Sequence, residues 1–150
     1  MNIALASDHA GFEMKEMIAR FLTGRGVDFA DLGSRAGESV DYVDYAAAAA
    51  EAVLAGTCDR AILVCGTGIG MAMAANKFPG IRATVCWTPA TAEMARRHNN
   101  SNCLTLGGRI LDNQTALEIV RVWLETPFDG GRHERRLAKI AEIEKKSCGC

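Results

Sequence analysis

Short apolar runs alternate along this chain with stretches whose apolar residues recur at helical spacing. Residues 2–7, 27–32, 60–65, 82–86 and 103–106 predict five strands, each apolar with little alternation. Strands apolar on both faces belong in a parallel sheet covered by helices on both sides. Between them Met14, Met17, Ile18, Phe21 and Leu22 mark one helical face, and residues 42–55 form an Ala-rich stretch of high helix propensity. Residues 69–76, 90–97 and 114–124 supply further helices, and 134–146 closes the chain with Leu137, Ile140 and Ile143 on one side. Gly26, Gly33 and Gly56 stand where elements should stop. The alternation predicts an α/β fold: a doubly wound, five-stranded parallel sheet in three αβα layers. No repeat or linker divides the chain, so residues 1–150 read as one domain.

In such a sheet ligands bind beyond the carboxyl ends of the strands. That rule directs attention to Asp8-His9 after the first strand and to Cys65-Gly66-Thr67-Gly68-Ile69-Gly70 after the third. Glycines let the second turn approach a ligand closely, and the helix that follows offers unpaired N–H groups suited to an anion. The spacing is wrong for a dinucleotide fingerprint, since Met71 stands where glycine is needed, and no Gly-Lys-Ser/Thr follows for a nucleotide triphosphate loop. Cys65 therefore has two readings, a buried strand-end filler or a nucleophile. A helix N-terminus stabilises a thiolate by up to about 2 kcal/mol in favourable geometry. The same donors would hold a developing oxyanion, so the two roles compete.

Near the other end, Gly130-Gly131-Arg132-His133-Glu134-Arg135-Arg136 opens the last helix with three arginines. Positive charge at a helix start is the unfavourable sign, and a bound anion such as phosphate would resolve it. The run Arg96-Arg97-His98-Asn99-Asn100 is weaker, because two arginines at a helix C-terminus also serve its dipole. It gains weight from an expected convergence with Asp8-His9 on the ligand edge of the sheet.

Composition changes this picture little. With 49% hydrophobic residues, 23% charged and a net charge of −1, nothing calls for nucleic acid or an anionic membrane. No apolar run approaches the roughly 18 residues of a membrane span, and the start lacks the basic segment of a secretory signal. The six cysteines read as reduced thiols of a cytoplasmic protein, and Cys148-Gly149-Cys150 as an oxidisable terminus without a second pair of metal ligands.

Asp8-His9-Ala10-Gly11, Asp41-Tyr42, Cys65 to Gly70, Ala74-Ala75-Asn76-Lys77, His98-Asn99, Gly107-x-Arg109 and Gly131-Arg132-His133-x-x-Arg136 together resemble the ribose-5-phosphate isomerase B family. These dispersed motifs run from the first strand to the last helix. The resemblance implies a Rossmann-like domain, a homodimer or homotetramer with active sites between subunits, and interconversion of ribose 5-phosphate and ribulose 5-phosphate through a cis-enediolate. It implies no cofactor and no metal. It assigns Cys65 as the proton-abstracting base, and Thr67 with the Gly66, Gly68, Ile69 and Gly70 amides to the enediolate. It assigns His98 to ring opening and Asp8 to the sugar hydroxyls or ring oxygen. It gives His9, Arg109, Arg132 and Arg136 to phosphate, and Tyr42 and Asn99 to the sugar. A branch of the family lacks the cysteine and carries glutamate where this chain has Met71, which places this chain in the cysteine-dependent branch. Val43 departs from a proline common after Asp41-Tyr42. A six-carbon substrate, allose 6-phosphate or galactose 6-phosphate, and a noncatalytic phosphosugar sensor are the competing readings.

Overall fold

A computed structural model describes residues 1–35 and 39–147. The Cys148-Gly149-Cys150 tail lies outside the described residues. Eleven elements follow in order: β1 (Asn2–Ser7), α1 (Phe12–Gly24), β2 (Asp28–Asp31), α2 (Tyr42–Leu54), β3 (Arg60–Cys65), α3 (Ile69–Ala75), β4 (Ala83–Val85), α4 (Pro89–Asn99), β5 (Cys103–Gly107), α5 (Asn113–Glu125) and α6 (Arg132–Ser147). All five strands are parallel in one sheet of order β2-β1-β3-β5-β4. The expected doubly wound sheet is therefore present. Its fourth and fifth strands exchange places, so β5 is internal and β4 forms an edge.

The alternation of side chains along each strand divides the core between the two faces. Ile3 and Leu5 of β1, Ile62 and Val64 of β3, and Leu104 and Leu106 of β5 meet α1, α4 and α5. Ala4, Ala6, Ala61 and Leu63 face α2 and α3, where Ala46, Ala49 and Ala50 are buried. Small residues on both sides let α2 lie close to the sheet. Caps set the helix boundaries more sharply than periodicity does. Asp41 accepts from the Val43 N–H at 3.2 Å, Asp112 from the Thr115 N–H at 2.9 Å, and Thr88 forms a reciprocal box with Thr91 ahead of Pro89.

Two consequences position the site. α1 leaves β1 towards one face and α3 leaves β3 towards the other. The chain thus diverges between these adjacent strands, opening a crevice at their carboxyl ends. Each helix also runs back against its strand, so its C-terminus lies at the amino edge of the sheet.

Candidate active site

Asp8 directly follows β1, almost fully buried, and its Oδ1 accepts from the N–H groups of Ala10 and Gly11, both at 2.9 Å. This Asx turn converts β1 into α1. The exposed His9 follows, and its Nδ1 accepts from the Val40 N–H at 3.3 Å. Beside it an open cleft of about 380 Å³ is lined by His9, Ala10, Phe12 and Gly108.

Across the crevice, Cys65 closes β3 with 4% of its surface exposed, and the Gly68 N–H donates to its Sγ at 3.1 Å. That bond exists because Gly68 takes a left-handed conformation, φ +82°, at the start of α3. A side chain there would also press on the Leu106 backbone at 3.0 Å, so only glycine fits both demands. The donor thus points at the sulfur from the first turn of the helix. Thr67 is exposed, with its Oγ1 accepting from the Ile69 N–H at 3.3 Å. The Tyr42 ring lies on Gly70, where a β-carbon would come within 2.8 Å of it. Val43 does not disturb this placement. Its N–H completes the Asp41 cap, a bond proline cannot make. Arg109, after β5, donates its N–H to the Gly66 carbonyl at 3.0 Å and extends its side chain over Gly66. Asp8, His9, Tyr42, Cys65 to Gly70 and Arg109 are thus gathered at the carboxyl edge.

His98, Asn99, Arg132 and Arg136 are not there, which corrects the expected convergence. His98 and Asn99 finish α4 at the amino edge, where Arg82 Nε donates to the Asn100 carbonyl at 3.0 Å just before β4 begins. The loop after α5 returns to the same edge, with the Asp129 N–H donating to the Arg97 carbonyl at 3.0 Å, and delivers the start of α6. Strands of five or six residues put roughly 15 Å between the two edges. Within one chain Cys65 and His98 cannot share a small sugar phosphate.

The amino-edge group has its own construction. His98 and His133 stack with ring centroids 4.4 Å apart and planes 6° apart. Arg132 Nε donates to His133 Nε2 at 3.4 Å. Burial first, then the positive neighbours His98, Arg132 and Arg136, hold His133 below the usual histidine range. Among the described residues, Arg109, Arg132 and Arg136 make no salt bridge, so their guanidinium groups stand ready for an anion. Arg96 differs. It is buried, donates to Asn100 Oδ1 and to the Ser101 and Thr126 carbonyls, and lies 5.9 Å from the Trp123 ring centroid. Burial, with Arg60 and Arg82 nearby, pulls its pKa to about 10. It serves the C-terminal ends of α4 and α5 and belongs to the fold.

The pattern of the Ribose/Galactose Isomerase family matches residues 3–140. The chain belongs to this family. It is 44% identical to ribose-5-phosphate isomerase B of Escherichia coli strain K12, over 96% of this chain and 97% of the relative. A ribose-5-phosphate isomerase B structure from Clostridium thermocellum superposes with a TM-score of 0.97 at 51% identity, covering 98% of this chain and 99% of the other. The Mycoplasma genitalium ribose-5-phosphate isomerase B, solved with bound ribulose-5-phosphate, gives a TM-score of 0.92 at 40% identity and covers 96% of each chain.

His133 was visible only as part of the Gly131-Arg132-His133-x-x-Arg136 motif, and its stacking on His98 depends on how α6 meets α4. The antiparallel run of α4 was the signal that could have placed His98 at the amino edge. His98, Asp129 and His133 bring one donor atom each within 4.8 Å of one another, a composition suited to a divalent ion. Imidazole lone pairs lie in the ring plane, however, and two nearly parallel planes share no point where one ion could sit. The arrangement is better suited to proton chemistry. No helix among the described residues is long and apolar enough to cross a membrane.

Proposed function

We propose that this family member interconverts ribose 5-phosphate and ribulose 5-phosphate in a site completed by a second copy of the chain. The observation that carries the chemistry is the buried Cys65 thiol facing the Gly68 N–H at the sheet's switch point. In the open-chain aldose, Cys65 takes the proton from C2 as the carbonyl oxygen O1 gains charge. The resulting cis-enediolate is held by the N–H groups of Gly66, Gly68, Ile69 and Gly70 and by the Thr67 hydroxyl. A proton moves from O2 to O1, and Cys65 returns its proton to C1, leaving the ketose carbonyl at C2. Tyr42 and Asp8 line the sugar, while His9 and Arg109 meet the phosphate from the carboxyl edge. His98, Asn99, Arg132 and Arg136 come from the second copy, because their own chain holds them at the far edge. His98 opens the furanose ring there, and the two arginines bind phosphate. The exposed Ile140 and Ile143 of α6 lie on the same side of the molecule as Asn99, bordering a groove of about 500 Å³, and supply an apolar face for that association. Among the described residues Cys58, Cys65, Cys86 and Cys103 are unpaired, which fits a reducing cytoplasm. No metal or other cofactor enters any step.

Complementation tests the shared site. Cys65→Ala and His98→Asn homo-oligomers should each be inactive. Mixed by refolding, they should regain about a quarter of wild-type activity, since half of random dimers carry one intact site of two. Failure of the mixture to gain activity would place both residues in one chain's site and defeat the reading. The family includes galactose isomerases, so the wild type is also assayed on allose 6-phosphate and galactose 6-phosphate. A higher kcat/KM on a six-carbon substrate would replace the pentose assignment.

A further inference from the structure

Resting on the assignment of His98 to ring opening, we propose that Asp129 is the positioning carboxylate of the His98–His133 pair and that Arg97 holds it in place.

Asp129 lies in the loop between α5 and α6, outside every motif that marked the site in the sequence. Its carboxylate comes within 4.8 Å of a ring nitrogen of both His98 and His133. It is fixed from the other side. Arg97 Nε donates to Oδ1 at 3.2 Å and to Oδ2 at 3.1 Å, and the Asp129 N–H donates to the Arg97 carbonyl at 3.0 Å. Arg97 is itself steadied by Glu93, one helical turn earlier, at 3.1 Å. The chain of contacts therefore runs Glu93, Arg97, Asp129, histidine pair, joining α4 to the start of α6.

The pair needs such a partner. His133 Nε2 accepts from Arg132, so the neutral ring carries its proton on Nδ1. That Nδ1 is buried and has no hydrogen-bond partner among the described residues. The groups facing the pair are Arg132 and Arg136 from α6, Asp129 from the loop, and the two imidazoles themselves. Asp129 is the one negative charge among them. In ring opening the anomeric hydroxyl gives its proton to His98, and the bond from C1 to the ring oxygen breaks with its electron pair left on that oxygen. The same imidazole then delivers the proton to the ring oxygen, so one proton moves in all. While it is carried the imidazolium faces two arginines and a second histidine. A carboxylate held within 4.8 Å of both rings offsets that charge through space.

Ketose substrate separates this role from the base. Ribulose 5-phosphate is open-chain, because its 5-hydroxyl is esterified, so exchange of its C1 proton with deuterated water needs Cys65 and not ring opening. Asp129→Asn should lower kcat from ribose 5-phosphate about tenfold or more, with KM within about twofold and C1 exchange retained. Arg97→Gln should show the same split more weakly, and Asp129→Glu should recover part of the loss. Equal falls in turnover and exchange, or unchanged turnover in both Asp129→Asn and Arg97→Gln, would overturn the proposal. A wild type that catalyses neither process would instead overturn the isomerase reading, and this inference with it.

Discussion

Gly11 is where the fold and the site press hardest on one atom. It caps α1 with ordinary negative φ, so alanine there suffers no backbone strain. Space is the constraint. A β-carbon on Gly11 would stand 2.2 Å from the Val64 carbonyl oxygen, 2.5 Å from its carbon and 2.9 Å from its Cβ. Ordinary contact requires a retreat of roughly 1 Å between the start of α1 and the end of β3, both backbone, and a close-packed interior resists this. Gly11→Ala should cost about 3 kcal/mol, the upper range for overpacking. For a chain of this length that lowers Tm by roughly 10 °C. Gly24, in the last turn of the same helix, has nothing within 4 Å of its would-be β-carbon. Gly24→Ala should therefore stabilise by about 0.5–1 kcal/mol. Urea unfolding of both variants beside wild type, at one protein concentration because association shifts apparent stability, reads the difference. Gly11→Ala should also lose activity below its melting range. Val64 directly precedes Cys65, and the Gly11 N–H holds Asp8. A Gly11→Ala midpoint equal to that of wild type would refute the close approach and, with it, the account of how Asp8 and Cys65 are brought together.

Three further outcomes are expected. Cys65→Ala should abolish turnover, a loss of at least about a thousandfold, while calorimetry still detects ribulose 5-phosphate; near-normal turnover would remove Cys65 as the base. Chelation with EDTA should leave activity unchanged, and a clear loss reversed by added metal would reopen metal-assisted enolisation. His133 has its folded-state pKa below the unfolded value, so the unfolded chain binds more protons across that interval. Its contribution is thus fully present above the unfolded pKa, near 6.5, and is lost as pH falls towards the folded value. Urea midpoints at pH 7 and pH 5.5 should show that loss in wild type and a smaller one in His133→Asn; equal slopes would mean that burial of His133 does not disfavour its protonation.

The local chemistry of this chain was legible in its order of residues. Five apolar runs marked the strands to within a residue or two, and the turn from Cys65 to Gly70 announced itself between a strand and a helix. These features rest on interactions between near neighbours, which side-chain period and glycine placement encode directly. The exchange of β4 and β5 and the division of large and small residues between the two faces depend on partners distant in sequence. So does the site. Sequence motifs could name Cys65 and His98 together, yet only the three-dimensional path of α4, returning against its strands, sets them at opposite edges of the sheet. His133 and Asp129 acquire meaning the same way, because a stack of two rings 4.4 Å apart and a carboxylate beside them come from three segments meeting in space.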